Sequence, residues 1–188
     1  MRKPDFNLQP ELENELIRIT PLTESDFERL FKAGSDPMIW EQHPDKNRYQ
    51  REIFQLFFDA HVKSKSAFLI FEKNTNEPIG CTRYHNYESA KSKVEIGYTF
   101  LARKYWGGKY NLAMKKLLLN HAFQYVESVV FLIGSTNIRS QKAILKIGAN
   151  KINEIDYDLN GTKMVVYEFE IKRRDWISNE TWLSLLTF

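Results

Sequence analysis

Val94–Val126, VEIGYTFLARKYWGGKYNLAMKKLLLNHAFQYV, changes its hydrophobic period part-way along. In Val94–Phe100, the positions Val94, Ile96, Tyr98 and Phe100 alternate with Glu95, Gly97 and Thr99, the period of a half-buried strand. From about Tyr110, the residues Leu112, Met114, Leu117, Leu118, His121, Ala122 and Tyr125 recur at three- and four-residue steps, with Lys115, Lys116, Asn120 and Gln124 between them. That spacing predicts a long amphipathic helix. Strand and helix are joined by Arg103-Lys104-Tyr105-Trp106-Gly107-Gly108-Lys109-Tyr110. The first N–H groups of a helix lack partners and lie at the positive end of its dipole, so such a turn can hold an anion such as phosphate. Glycines let the backbone approach the anion, and basic side chains add charge. A Gly-Gly pair ahead of a helix is also an ordinary turn, and the motif alone leaves both readings open. G-x-x-x-x-G-K-[ST] and G-x-G-x-x-G do not occur, which argues against a P-loop nucleotidase or a dinucleotide enzyme.

Working outward, the chain has 188 residues, a length for which one domain, 1–188, is expected. With 43% hydrophobic residues it has the makings of a buried core and not of a disordered chain. Its 27 Lys and Arg against 24 Asp and Glu leave a charge of +3, suited to an anionic ligand but too small to argue for nucleic acid. Cys81 is the single cysteine, so no intramolecular disulfide forms, and a reducing compartment is expected. Met1–Leu16 has no apolar signal-like core and no apolar run is long enough for a bilayer, so the reading is a soluble, cytoplasmic protein.

The remaining elements alternate in type. Leu16–Thr20 reads as a strand and Asp26–Lys32 as a helix broken at Asp36-Pro37; Met38–Arg48 is irregular. Tyr49–Ser64 reads as a helix burying Ile53, Leu56, Phe57, Ala60 and His61. Ala67–Glu72 and Pro78–Asn86 form a hairpin. Val129–Gly134 is an apolar strand, and Ser140–Ile147 a helix closed by Gly148. Lys151–Leu159 and Lys163–Lys172 form a second hairpin about Asn160-Gly161. The tail 173–188, with Trp176, Trp182, Leu183, Leu185, Leu186 and Phe188, is expected to dock as a helix and could pack on a second subunit as a homodimer.

The resulting order, β-α-α-β-β-β-α-β-α-β-β, resembles the GNAT acetyltransferase superfamily, and within it the branch of ribosomal-protein N-terminal acetyltransferases. Three stretches carry the resemblance over about 16–171: Leu16-Ile17-Arg18-Ile19-Thr20-Pro21-Leu22, then Glu95-Ile96-Gly97-Tyr98 with Tyr105-Trp106-Gly107, then Asn137-x-x-Ser140 with Lys146-Ile147-Gly148. It implies an α+β fold with a mixed, mostly antiparallel central sheet flanked by helices. It also implies acetyl-CoA as co-substrate and an amine acceptor, either a protein N-terminus or a small amine. The family's pyrophosphate motif, Q/R-x-x-G-x-G/A, falls on Trp106, Gly107, Gly108, Lys109, Tyr110 and Asn111. Here Trp106 replaces the leading Gln or Arg, Lys109 the central glycine and Asn111 the closing small residue. By the same resemblance Thr99, Phe100 and Leu101 offer backbone groups to the pantetheine arm, and Asn137 bonds to it; Asn137 is equally a turn residue.

Acetyl transfer needs a neutral amine, because an ammonium has no lone pair. The resemblance assigns that base to Glu95; the plainer reading is a strand carboxylate paired with a cation. A backbone N–H near Tyr98–Phe100 would meet the thioester oxygen. The family tyrosine that often serves the departing thiolate is missing, its position being Ile144, and Ser140 takes the acid role in the resembled branch; Ser140 is also a natural helix N-cap. Trp40 and His43 map to the acceptor-side loop, and His85, at the end of the third strand, is a further substrate-side candidate, all three also readable as ordinary loop or strand residues. His61 and His121 read as packing or surface positions. Four scattered histidines and one cysteine give no metal site. The reading is an acetyl-CoA-dependent N-acetyltransferase working by direct attack in a ternary complex, with no membrane or nucleic-acid partner. The alternatives are a non-catalytic acyl-CoA-binding regulator and an RNA- or ribosome-binding module built on Arg103-Lys104-Tyr105-Trp106.

Overall fold

The structure is a computed structural model, and residues 5–159 and 161–184 are described. In chain order the elements are β1 (Leu12–Glu13), β2 (Ile17–Pro21), α1 (Phe27–Gly34), α2 (Arg51–Lys63), β3 (Ala67–Glu72), β4 (Glu77–Glu88), β5 (Lys93–Leu101), α3 (Lys109–Ala122), β6 (Ser128–Gly134), α4 (Ile138–Leu145), β7 (Asn150–Leu159), β8 (Thr162–Lys172) and α5 (Arg173–Ser184), with short 3-10 turns between some of them. The strands form one open sheet in the order β1-β2-β3-β4-β5-β6-β8-β7, antiparallel except for β5 with β6. The expected α+β architecture with helices flanking a mostly antiparallel sheet is present. Leu185, Leu186 and Phe188 lie outside the described residues, as does Asn160; Trp176 is buried against Phe123.

Both faces of the sheet are covered. All six residues of β3 are buried, the pattern of a strand packed on two sides. On one face α3 presses Met114, Leu118, Leu119 and Ala122 onto Ile17, Ile19, Phe68, Ile70, Tyr84 and Ile96. On the other, α1 and α2 bring Leu30, Phe54, Phe57 and Phe58 against Leu69, Phe71, Cys81 and Phe100; full burial of each such side chain contributes about 1.5–3 kcal/mol.

Two periodicities were rotated from the sequence expectation. The buried stripe of α2 is Phe54, Phe57, Phe58 and His61, whereas Leu56 is 72% exposed and Ala60 also faces out. The aromatic rings bury more area than Leu56 and Ala60 would, so they set the helix's rotation. On α3 the stripe takes in Ala113, Met114, Leu118 and Leu119, and Lys115 is buried with them.

The alternation read along β5 is broken by a bulge. Gly97 faces Arg83 and Phe100 faces Cys81, so Tyr98 and Thr99 together oppose Thr82, two residues against one. Tyr98 takes φ +53 to accommodate the extra residue. The consequence is a change of face. Val94 and Ile96 lie in the α3 core, but Phe100 lies in the α2 core and Tyr98 meets His61 of α2. Thr99 turns toward α3 instead, bonding Thr82 Oγ1 at 2.8 Å and Lys115 Nζ at 3.2 Å.

Candidate active site

The parallel contact of β5 with β6 covers Lys93, Val94 and Glu95 against Ser128, Val129 and Val130, and then ends. Beyond it β5 stays with β4 as far as Leu101, while β6 stays with β8 as far as Gly134. The two strands therefore part at Glu95. The edge of β5 that includes Thr99, Phe100 and Leu101 is left without a strand partner on the β6 side, and the bulge lies on that free edge.

Glu95 sits where the strands part, 6% exposed. Its Oε2 accepts from Asn86 Nδ2 at 3.1 Å. Burial raises its pKa, against the lowering effects of the Asn86 bond and the Arg83 charge, because desolvation disfavours a carboxylate. Among the described residues no cation pairs with it at contact distance, which sets it apart from an ordinary strand ion pair. Gly97 leaves room for this carboxylate: a Cβ there would stand 2.9 Å from Glu95 Oε1 and would displace it.

The turn into α3 begins where β5 ends. Trp106 Nε1 donates to Leu101 O at 2.7 Å, and the Arg139 guanidinium lies 3.8 Å from the Trp106 ring. Gly107 has φ +67, open to glycine at little cost, and Gly108 caps α3. Lys109 opens the helix with no left-handed backbone and an exposed side chain, so a non-glycine residue is accommodated there. The first amides of α3, from Lys109, Tyr110 and Asn111, have no partners within the helix. Tyr110 packs edge-on against Tyr105, with ring centroids 4.8 Å apart.

Across the opening, Asn137 rather than Ser140 caps α4: its Oδ1 accepts from the Ser140 amide at 3.1 Å. Ser140 is half-buried, and among the described residues its hydroxyl has no hydrogen-bond partner. Ile144, in the position of the family tyrosine, is buried. Arg139 joins this end to the irregular loop through Ile39 O at 2.9 Å and Gln42 Oε1 at 3.2 Å.

Of the acceptor-side candidates, Trp40 is a core residue, 3% exposed, with Nε1 donating to Gly34 O at 2.8 Å. His43 has both ring nitrogens engaged: Nδ1 accepts from the Asp45 amide at 2.9 Å, and Nε2 stands 3.2 Å from Arg48 Nη1. Burial first, and the Arg48 charge second, lower its pKa to about 4. His85 Nδ1 accepts from Arg83 Nη2 at 3.0 Å, and its ring meets Tyr98 edge-on. Trp40 packs on Phe57 and Phe100 with His43 against it, and His85 lies on the same face of the sheet through Tyr98, which also meets His61.

Four side chains had no site role in the sequence reading. Arg83 and Tyr98 meet on this face, the guanidinium 5.0 Å from the ring. His61, 1% exposed, donates from Nδ1 to Phe57 O at 2.7 Å, and its Nε2 is buried without a partner; burial lowers its pKa to about 3. Lys115 lies on the opposite side of the sheet, 5.1 Å from the Phe131 ring. Its pKa is lowered to about 7 by burial. The period-two spacing of Cys81, Arg83 and His85 was a usable signal that the last two share a face; nothing local marked Lys115. A surface hollow of about 800 Å³, bordered by Asp36, Glu77, Arg103 and Lys104, lies beyond the far end of β5. Its charges pair among themselves, Arg103 with Asp36 and Lys104 with Glu77, both at 2.7 Å. Among the described residues no group of three or more His, Cys, Asp or Glu side chains is placed to hold a metal ion, and no helix is long and apolar enough to cross a membrane.

The family model described as "Acetyltransferase (GNAT) domain" matches residues 17–150, more than half of the chain. The chain belongs to the GNAT acetyltransferase family. As a member it is an acetyl-CoA-dependent N-acetyltransferase. No curated protein matches the sequence, but the GNAT fold recurs widely among solved structures. A GCN5-related N-acetyltransferase from Brucella melitensis superposes with a TM-score of 0.84 at 16% identity, over 96% of this chain and 85% of that one. A spermidine N-acetyltransferase from Vibrio cholerae, in complex with CoA and spermine, gives 0.68 at 11% identity over 87% and 99%. A Vibrio cholerae protein described as a ribosomal-protein-serine acetyltransferase gives 0.71 at 16% identity over 87% and 97%. At these identities the likeness is one of fold.

Proposed function

We propose that this GNAT member transfers the acetyl group of acetyl-CoA directly to a primary amine while both are bound, with the acceptor entering from the α2 side of β4 and β5. The observation that supports this most is the free edge of β5, which parts from β6 at Glu95 and runs through a bulge to the amide-bearing turn of α3. The residues present fit the co-substrate. An unpaired strand edge at Thr99, Phe100 and Leu101 suits an amide-bearing arm, which pairs as an added strand would. The Trp106–Asn111 turn offers a glycine-lined approach, unpaired amides and the exposed Lys109 to a pyrophosphate. Asn137 spends its Oδ1 on the α4 cap and keeps its Nδ2 for the arm. Bound acetyl-CoA supplies an activated acetyl thioester.

The protein's own part is to manage protons and exclude water. Glu95 is the base that takes the proton of the attacking amine, directly or through one water, and its raised pKa brings it nearer to that task. Backbone amides on the free edge near the bulge serve the oxygen on which charge gathers. The hydroxyl of Ser140, with no other partner, supplies a proton on the leaving side. The ribosomal-protein branch is a finer reading that rests on the Asn137-x-x-Ser140 segment and the fold likeness to the Vibrio cholerae protein. A thiol-release assay with a panel of amines, run from roughly pH 6 to 9 to span the amine pKa range, tests the whole. Release that depends on an amine and yields an N-acetyl product is expected; CoA binding with no turnover on any amine would select a non-catalytic regulator instead.

A further inference from the structure

The α2-facing side of β4 and β5 carries more guanidinium than an amine acceptor alone requires. Arg83 rises from β4 beneath Tyr98, its Nη2 bonded to His85 and its Nε buried without a partner. Among the described residues no carboxylate reaches it at ion-pair distance. Arg48 reaches the same face from the irregular loop, its side chain 14% exposed, over Trp40 at 5.2 Å and Phe57 at 4.6 Å. Both positive charges are felt at His61 and at Tyr98. The acidic groups facing them are few. Asp45 is committed to Arg48 at 3.2 Å. Glu95 is bonded to Asn86, and Glu168 is turned to Lys93 at 3.7 Å.

We infer that the acceptor is a primary amine that also carries a carboxylate, and that Arg83 is the residue that binds that carboxylate. This rests on the reading that acceptors enter on the α2 side. A planar guanidinium with unspent N–H donors matches a carboxylate by two parallel bonds, and it is already held in place by Tyr98 and His85. Leaving it half-buried and unpaired costs free energy that a ligand anion recovers. In the β4–β5 pairing Arg83 stands opposite Gly97 and Glu95 opposite His85, neighbouring pairs on one face, which lets the amine of such an acceptor meet the base while its acid group meets Arg83. The same two arginines oppose a polyamine, which would bring several further positive charges to them. This chain therefore shares its fold with the spermidine enzyme but not that enzyme's named class of acceptor.

The test compares acceptors that differ only in charge: free amino acids against their carboxamides, peptides led by Asp or Glu against peptides led by Asn or Gln, and spermidine. The expected result is a kcat/KM at least about tenfold higher for the carboxylate member of the favoured pair, as a charge-assisted bond requires. The two kinds of pair distinguish a small acceptor from a peptide. In Arg83→Gln the ratio of carboxylate to carboxamide falls toward one, chiefly through KM, and Arg83→Lys restores part of it. CoA binding and melting curves of both variants report whether they fold. A parallel arm titrates the carboxylate and carboxamide ligands into the CoA-loaded protein, where only the carboxylate should bind measurably. Equal use of carboxamide and carboxylate, a preference for spermidine, or an equal fall for both ligands in Arg83→Gln overturns the inference. If no amine is turned over, direct acetyl transfer fails, and the binding arm still decides the carboxylate site.

Discussion

The two faces of β4 and β5 at the bulge bury charge in opposite ways. On the α2 face several polar groups crowd together: Glu95 with Asn86, Arg83 with His85, Arg48 with Asp45, all set among aromatic rings. On the α3 face the buried cation among the described residues is Lys115, 3% exposed among apolar side chains, with Thr99 Oγ1 at 3.2 Å. The first face leaves donors and acceptors unspent, Arg83 Nε and His61 Nε2 among them. The second is a packed core with one costly guest. The difference teaches where chemistry has room: buried polar atoms without partners cost stability, and such a cluster beside a free strand edge is consistent with a surface shaped for a ligand.

The comparison breaks most sharply at Glu95. Glu95→Gln should lower kcat/KM by about 10²–10⁴-fold near neutral pH. The deficit should narrow as pH rises and the amine loses its proton unaided; a constant deficit across the pH profile would make Glu95 structural. Next comes Arg83→Gln, with its loss of at least about tenfold in carboxylate preference. On the donor side, Gly107→Ala forces a Cβ into φ +67, a strain of about 1–2 kcal/mol that should weaken CoA binding by about 5–30-fold in calorimetry if the turn holds the pyrophosphate. Unchanged affinity would remove Gly107 from the cradle.

The smallest expected effect sharpens the α3 face. The Lys115 pKa falls from 10.5 to about 7 on burial. Below about pH 7 the side chain is charged in both states, and the folded state carries the full desolvation penalty. Between those two values the unfolded chain holds a proton that the folded chain has released, so stability climbs with pH; above them the penalty is gone. Lys115→Met should therefore raise the melting temperature near pH 6 by about 2–4 °C for each kcal/mol of penalty removed, and the gain should shrink toward pH 10. A gain that does not vary with pH would refer it to packing alone. The histidines follow the same sign at lower pH: His61 and His43, lowered by burial to about 3 and about 4, resist protonation in the fold, so stability again climbs with pH up to about 6.5 and is lost as pH falls from there through those values.

Much of this was legible in the sequence, for stated reasons. The strand-turn-helix of Val94–Val126, the hairpins and the order of elements follow from period and turn chemistry, which are local. The positions of Glu95, Asn137 and Ser140 came from a resemblance that the family match supports in general. The face assignment of Tyr98 and Phe100 did not come through, because a bulge is one extra residue in a pairing whose partner strand the local pattern does not contain. Nor did the burial of Lys115, which looked like a polar interruption on a helix.

By itself, the sequence determined a chain apolar enough for a buried core, a mixed α+β order and the glycine-bearing turn, since each is written in neighbouring residues. Only the tertiary structure decided that β5 leaves β6 at Glu95, that the bulge sends Tyr98 to the α2 side, and that Arg83, Arg48 and His61 meet there. These placements depend on strand register and on residues far apart in the chain, brought together by packing that no single segment specifies.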